Sequence, residues 1–310
     1  MKLEINMKKV LVTGGSGMLG RHLKDAAPEY VYFSSKECDL TNKEDTVNFF
    51  KKHNPDTIIH LAAKVGGILQ NMAYPADFYD QNIMINSNVL IAARESGVKN
   101  FLSVLSTCMY PDVVDSYPML ESDVHKGPPA QANFSYAYTK RCMAVQIEAY
   151  NKQLNLNYNY LIPCNLFGEH DNFSDSNKSH FVTALIKKII DAEKNNKKSI
   201  TLFGTGKPMR QFMYAGDLAL VIKKTVDEGI KESFNVAPPD SNFSINDMAL
   251  MSLRALNKND WTIEYDITKP DGQFRKDVSS KLMNDVLGDF SFTKFEDGVK
   301  MVYNKLMEYV

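Results

Sequence analysis

The sequence predicts an α/β fold, a doubly wound parallel sheet carrying a smaller mixed α/β cap. Three observations point there. Short apolar runs alternate with helical patterns through the first half of the 310 residues. A glycine-rich loop, Gly14-Gly-Ser-Gly-Met-Leu-Gly20, joins the first apolar run to the first helical pattern. Beyond Gly168 the alternation breaks into shorter mixed pieces, as expected of a cap closing over one end of a sheet.

Each element follows from its pattern. Residues 9–13 (Lys-Val-Leu-Val-Thr) read as a buried strand, 18–27 as a helix and 30–34 as a second strand. Residues 43–53 form an amphipathic helical pattern, and 57–60 (Thr-Ile-Ile-His) a third strand. A long helical pattern covers 76–96 and stops at Gly97, where glycine can end a helix. Residues 100–105 are a fourth strand. The helix that carries Tyr136 and Lys140 runs to about residue 154, and 158–163 are a fifth strand. Alternation at this period requires parallel pairing with right-handed crossovers. Residues 171–178 are polar and loop-like, 180–194 helical, 200–203 a short strand, 217–227 helical, and 234–236 one more strand of the main sheet. Residues 245–255, 261–265 and a helix from 295 complete the cap. The expected division is 1–168 with 213–240 for the sheet domain, and 169–212 with 241–310 for the cap.

Bulk composition excludes several functions. Hydrophobic residues are 44% and charged residues 24%, an ordinary globular mix. The net charge of -1 gives no basic field for nucleic acid or an anionic membrane. No apolar run approaches the roughly 18 residues that a membrane helix needs. Residues 1–6 carry a glutamate and no apolar centre, unlike a signal peptide, and Met7 is an alternative start. Cys38, Cys108, Cys142 and Cys164 show no C-x-x-C pair and no metal spacing with the histidines, so no metal site is expected. Unpatterned cysteines fit a reducing cytoplasm.

Gly14, Gly17 and Gly20 have the spacing G-x-x-G-x-x-G after a strand and before a helix. The first allows a tight turn, the second lets the backbone approach a pyrophosphate, and the third lets helix and strand pack closely. The helix N-terminus then offers free N–H groups to the phosphates. A dinucleotide site is expected there. An NAD site commonly has an acid after the second strand, for the ribose 2′-hydroxyl. Here the run is Phe33-Ser-Ser-Lys36, and Ser35 and Lys36 suit a 2′-phosphate, so NADP(H) is the expected cofactor. Glu37 and Asp39 keep NAD in view, although Asp39-Leu40 fits better beside the adenine.

Tyr136-Ala-Tyr-Thr-Lys140 places a phenol and an ammonium four residues apart, on one face of a helix. The lysine is expected to hold the phenol in a positive field and favour its ionisation, so that it protonates an alkoxide near pH 7. Ser106 ends the fourth strand, where a hydroxyl can bond the same substrate oxygen. Cys108, two residues on, is either a proton donor and acceptor in that crevice or a small buried hydrophobe. His180 is either a hydrogen-bonding residue at a helix start or an acid–base partner for Cys108. His60, followed by Leu61-Ala-Ala63, reads as a buried histidine at a strand end near the cofactor.

At this point the chain resembles the extended short-chain dehydrogenase/reductases, and within them the epimerase-reductases of GDP-4-keto-6-deoxy sugars. The residues that carry this are His60-Leu-Ala-Ala-Lys-Val-Gly-Gly-Ile68, Ser106-Thr-Cys-Met-Tyr-Pro111, His125-Lys-Gly-Pro-Pro129, Tyr136-Ala-Tyr-Thr-Lys140, Pro163-Cys-Asn-Leu-Phe-Gly168, His170-Asp-Asn-Phe173, Ser179-His180, Phe203-Gly-Thr-Gly-Lys-Pro-Met-Arg-Gln-Phe212 and Lys269-Pro-Asp-Gly-Gln-Phe-Arg-Lys276. The resemblance implies a Rossmann domain and NADPH-dependent reduction of a GDP-linked 4-keto-6-deoxy sugar, with epimerisation at carbons 3 and 5. The mannose-derived ketone is the first expectation; a GDP-linked heptose analogue that is only reduced is the alternative. Tyr136 would be the acid, with Lys140 and Ser106 beside it, and Cys108 and His180 would exchange protons at carbons 3 and 5.

Cofactor contacts are implied for Gly14, Gly17, Met18, Leu19, Gly20, Ser35, Lys36, Asp39, Leu40, Leu61, Ala62, Ala63, Pro163, Asn165 and Leu166, and for Tyr136, Lys140 and His180. Substrate contacts are implied for Lys188, Phe203, Arg210, Asp271, Arg275 and Lys276. Lys188 stands where an arginine is common and Phe203 where a tryptophan is common. The resemblance also implies a homodimer built on helices such as 76–96, whose apolar residues lie on more than one side. Two other readings remain. A nucleotide-sugar 4-epimerase would hold NAD tightly and need no net reduction. A cofactor-sensing protein would be expected to lack Tyr136, Lys140 or Ser106, and all three are present.

Overall fold

The computed structural model describes residues 9–173, 180–269 and 271–308. Residues 1–6, the 174–179 part of the polar loop and Pro270 lie outside the described residues. In chain order the first half holds β1 (Val10–Thr13), α1 (Met18–Ala26), β2 (Val31–Phe33), α2 (Lys43–His53), β3 (Thr57–His60), α3 (Ile68–Ala73), α4 (Pro75–Glu95), β4 (Asn100–Val104), α5 (Phe134–Leu154) and β5 (Asn157–Pro163). Then come β6 (Asn165–Phe167), α6 (Phe181–Lys194), β7 (Ser199–Phe203), β8 (Met209–Tyr214), α7 (Ala215–Asp227), β9 (Phe234–Val236), β10 (Asn242–Ser244), α8 (Ile245–Ala255), β11 (Thr262–Asp266), β12 (Arg275–Lys276), α9 (Lys281–Leu287) and α10 (Phe295–Met307).

Six strands pair in the order β2-β1-β3-β4-β5-β9, all parallel. The four residues of β1 and of β3 are buried throughout, as strands covered on both faces must be. The chain steps from β1 outward to β2, then returns to lay β3 on the other side of β1. That reversal opens a crevice beyond the carboxyl ends of β1 and β3. Helices α2, α4 and α5 pack in succession, and α1 packs against α7. Local chemistry fixes the helix ends. Asn42 caps α2 by accepting from the N–H groups of Glu44 and Asp45, and Lys51, Lys52 and His53 complement its C-terminus.

The long helix differs from its apolar reading. Phe78, Val89 and Ala92 are buried, yet so are Asn82, Asn86 and Asn88. Asn82 and Asn88 each tie a loop to α4, and Asn86 bonds His60 of β3 and the Thr139 carbonyl of α5. Asn82 bonds both the N–H and the carbonyl of Lys64, at 2.9 and 3.0 Å, and Asn88 donates to the carbonyls of Leu40 and Thr41. Polar residues thus line part of the buried face, because loops at the sheet's end need backbone partners there.

The cap forms around β8. It pairs antiparallel with β10 and parallel with β12 and β6. A second pair, β7 with β11, lies beside it. Val182, Ile186, Phe212, Met248 and Val299 fill one cap core, and Leu185, Ile189, Ile200 and Leu253 another. The sequence pattern places 281–287 in the cap, but Met283 and Leu287 are buried in the main core. No helix among the described residues is long and apolar enough to cross a membrane.

Candidate active site

The glycine loop fits a dinucleotide by steric necessity. Gly14 has φ +71°, and a Cβ there would sit 2.8 Å from the Ala62 nitrogen. A Cβ on Gly20 would collide with the Gly14 carbonyl oxygen. Gly17 stands at the N-cap of α1 with no side chain to satisfy the first N–H groups. Those donors are left for a phosphate. Leu61, Ala62 and Ala63 follow β3 across the crevice, partly exposed. Leu19 and Leu40 are buried in the main core, so their side chains serve packing. Asn165 donates to the Gln211 carbonyl at 3.0 Å, which joins β6 to β8, while Leu166 beside it is partly buried and Pro163 fully so.

After β2, Ser35 and Lys36 are exposed. The two nearby acids are held by local hydrogen bonds. Glu37 accepts from the Ser34 N–H and hydroxyl, at 2.7 and 2.5 Å. Asp39 accepts from the Thr41 N–H and hydroxyl, at 2.9 and 2.7 Å. These hydrogen bonds hold both carboxyls below their ordinary range.

His60 is fully buried, as expected for its strand end. Thr13 Oγ1 accepts the N–H groups of Leu61 and Ala62, which leaves its own proton for His60 Nδ1 at 2.8 Å. His60 Nε2 then donates to Asn86, which donates to the Thr139 carbonyl on α5, each at 3.3 Å. Burial, helped by Lys140, lowers His60 to about 3, so the ring is neutral. This buried chain runs from the glycine loop to the helix that holds Tyr136 and Lys140.

Ser106 ends the segment after β4, and its hydroxyl caps the turn that follows by accepting from the Cys108 N–H at 3.2 Å. It also hydrogen-bonds Tyr136. Lys140 is buried, donates to the Val104 carbonyl at 3.0 Å and lies 5.6 Å from the Tyr136 ring centroid. Burial lowers its ammonium to about 8. The expected positive field on the phenol is overturned. Burial and the negative charge of Cys108 push Tyr136 above its ordinary range, opposed by the Ser106 hydrogen bond. The phenol therefore carries its proton at neutral pH.

Burial alone would raise the Cys108 thiol. The Lys276 ammonium, 3.1 Å from Sγ, outweighs burial with help from Ser106 and Asn133 and holds the thiol below its ordinary range. Cys108 also interacts electrostatically with Tyr136, Lys140, His180 and Arg210, so the structure brings all five expected catalytic side chains together. His180 stands just before α6 and makes no side-chain cap. Its Nδ1 meets Asp171 Oδ1 at 3.0 Å, and its N–H donates to Oδ2 at 3.1 Å. Burial opposes the charged ring, but Asp171 and Cys108 outweigh it and raise the imidazole. The ring is 43% exposed, while Asp171 is 5% exposed. Sequence spacing did not single out Asp171, although it lies in His170-Asp-Asn-Phe173.

The cap residues divide. Arg210 is partly buried and bonds the Met209 carbonyl at 2.8 Å. Lys188 donates to the Thr201 carbonyl at 2.7 Å and lies 4.1 Å from the centroid of Phe203, which is 53% exposed. Two expected contacts are otherwise engaged. Asp271 clasps the turn after β7 through the N–H and hydroxyl of Thr205. Arg275 makes a two-pronged pair with Asp277, at 2.6 and 3.0 Å, and stacks on Tyr117. Elsewhere, His22, Asp25 and His170 bring ligand-type atoms within 4.8 Å of one another, a grouping that sequence spacing gives no sign of. Asp25 in that group is 77% exposed.

A doubly wound sheet with a glycine loop at its switch point, and a Ser/Tyr/Lys cluster at the same end, is the architecture of the extended short-chain dehydrogenase/reductases. Residues 10–237 match the NAD dependent epimerase/dehydratase family, and the chain belongs to it. A GDP-L-fucose synthase of Dictyostelium discoideum is 37% identical over 302 residues, covering 94% of this chain and 93% of that one. The crystal structure of a GDP-L-fucose synthetase from Naegleria fowleri, bound to NADP, superposes with a TM-score of 0.86 at 30% identity, over 97% of this chain and 94% of that one. A GDP-mannoheptose C4 reductase of Campylobacter jejuni with NADP bound is also similar, with TM-score 0.83 and 26% identity, over 97% and 98%.

Proposed function

We propose that this protein reduces a GDP-4-keto-6-deoxy sugar with NADPH after epimerising it at carbons 3 and 5, and that GDP-4-keto-6-deoxy-mannose is the substrate and GDP-L-fucose the product. One observation carries the reading. Cys108, whose thiol is lowered by Lys276, and His180, whose imidazole is raised by Asp171, share a crevice with Ser106, Tyr136 and Lys140, and these directions suit a proton acceptor and a proton donor. Simple reduction of a ketone needs only the last three. The synthase and synthetase similarities support the same substrate.

The chemistry follows from one oxygen. A ketone at carbon 4 acidifies the C–H bonds at carbons 3 and 5. The Cys108 thiolate is the group suited to take a proton and the His180 imidazolium the group suited to return one. Ser106 and the protonated Tyr136 can donate hydrogen bonds to the ketone oxygen, and stabilise it as an enolate and later as an alkoxide. Bound NADPH supplies the hydride to carbon 4. Tyr136 then gives its proton to the alkoxide, and Lys140, lowered to about 8, is a cation close at hand. Gly14, Gly17 and the N-terminus of α1 would hold the pyrophosphate, and Ser35 with Lys36 the 2′-phosphate. Arg210 and Lys188 supply cations for the nucleotide diphosphate.

Assembly as a homodimer is supported by Met84 on α4 and Tyr138 and Val145 on α5, which are exposed on adjacent packed helices. A cytoplasmic site is supported by four free cysteines. The reading is tested by offering the purified protein GDP-4-keto-6-deoxy-mannose or its heptose analogue with NADPH and identifying products by NMR. GDP-L-fucose formed with one NADPH per ketone is expected. Turnover of the heptose analogue alone would replace the substrate, and turnover of neither would remove the function.

A further inference from the structure

We propose that Lys276 is the positioning residue that keeps Cys108 in its base form, ready to take the proton that epimerisation removes. This rests on the reading of Cys108 as the proton acceptor. Resemblance assigns Lys276 to the nucleotide diphosphate or the sugar, but the structure places its Nζ 3.1 Å from Cys108 Sγ.

The strand that carries Lys276 holds it still. β12 pairs with β8, with Lys276 opposite Arg210. The next residues are pinned too. The Met119 N–H donates to the Asp277 carbonyl at 2.9 Å, and the Val278 N–H donates to the Gln211 side chain at 2.9 Å. Successive residues of a strand face opposite ways. Arg275 takes Asp277 and Tyr117, and Lys276 is left to face the thiol. Lys276 is 8% exposed, and among the described residues no carboxylate pairs with it. A buried ammonium needs a counter-charge. The nearest group able to supply one is the thiolate.

Other cations surround Cys108, and each has its hydrogen bonds elsewhere. Lys140 bonds the Val104 carbonyl, His180 bonds Asp171, and Arg210 bonds the Met209 carbonyl. Tyr136 is neutral, and Ser106 and Asn133 are uncharged and stabilise a thiolate only by hydrogen bonding. Lys276 alone among the four cations hydrogen-bonds the sulfur, at 3.1 Å. An interaction of this kind lowers a thiol without consuming a proton in the reaction. The ketone oxygen, by contrast, is served by Ser106 and Tyr136.

The test reads the thiol directly and needs no sugar. Cys142 is the exposed cysteine, whereas Cys38 and Cys164 are buried, so Cys142→Ser provides the background. Iodoacetamide alkylation of Cys108 is followed by mass spectrometry from pH 5 to 10. With Lys276 present, the midpoint of the rate is expected below the ordinary cysteine value of ~8.5. Lys276→Met is expected to raise that midpoint by at least about one unit, which slows alkylation at pH 7 about tenfold. Lys276→Arg is expected to keep it low. An unchanged midpoint in the methionine variant would overturn the proposal, as would an ordinary midpoint with Lys276 in place, a readout that needs no change at Lys276. A low, Lys276-dependent midpoint in a protein that turns over no GDP-linked keto-sugar would leave this contact standing and sink the proposed function instead.

Discussion

Cys108 helps to set the charge of Tyr136. Burial pushes the phenol toward its neutral form, and the negative charge of Cys108 pushes the same way. A neutral phenol is what proton donation requires, so the pair suits a site that first removes protons and later delivers one. Tyr136→Phe is expected to cut NADPH consumption by roughly 10²–10⁴-fold, the usual contribution of a positioned acid. Coenzyme binding, followed by fluorescence titration, should stay close to that of the unaltered protein. Substantial turnover would remove Tyr136 as the acid. The sequence showed Tyr136, Lys140 and Ser106 through spacing, but it misjudged the direction of the field, because burial depth and the position of a third group are invisible in a pattern. The Lys276–Cys108 contact was hidden because its partners lie 168 residues apart, whereas Asp171 stands only nine residues before His180 and no motif spacing links the two.

His180 gives a pH dependence whose sign can be worked out. Asp171 raises the imidazole above its ordinary ~6.5. The stability contributed by the pair is complete below ~6.5 and is lost as pH rises through the raised value. Proton return by the imidazolium fades over the same range. Asp171→Asn should therefore move the falling limb of solvent deuterium exchange at carbons 3 and 5 to lower pH. A limb that stays where it was would show that Asp171 does not set the charge of His180.

At the scale of elements, the glycine loop was legible because sterics dictate it. Gly14 at φ +71° and the close approach of Ala62 admit no side chain. The parallel strands were legible from their continuous apolar runs. Helix α4 was less so. Its buried Asn82, Asn86 and Asn88 serve loop backbones and the His60 chain, and asparagine in a helix ordinarily reads as exposed. The short strands β6, β10 and β12 escaped notice because two or three residues carry no periodicity. The turn after β2 bears a testable preference. Lys36→Ala removes an exposed cation, and a charge-assisted contact to phosphate is worth about 1.5–3 kcal/mol. Solvent exposure discounts that toward the lower value, so the preference for NADPH over NADH should narrow about tenfold in steady-state kcat/KM. No change in the ratio would remove Lys36 from the 2′-phosphate.

At the scale of the molecule, the sheet supplies one wall of the crevice and the cap the other. The wall after β4 and along α5 brings Ser106, Cys108, Tyr136 and Lys140; β8, β12 and the start of α6 bring Arg210, Lys276 and His180. Two packed helices on the sheet side leave Met84, Tyr138 and Val145 exposed. Light scattering is expected to give twice the 35.0 kDa chain mass, and Val145→Glu should shift the protein toward single chains. A wild-type mass of one chain would contradict the dimer. The central claim is that one crevice both exchanges the protons beside a sugar ketone and reduces that ketone. The most direct measurement runs the reaction on GDP-4-keto-6-deoxy-mannose with NADPH in D2O and reads the product by NMR. Deuterium at carbons 3 and 5, with protium at carbon 4, is the expected result; a reduced product carrying protium at all three carbons would contradict it.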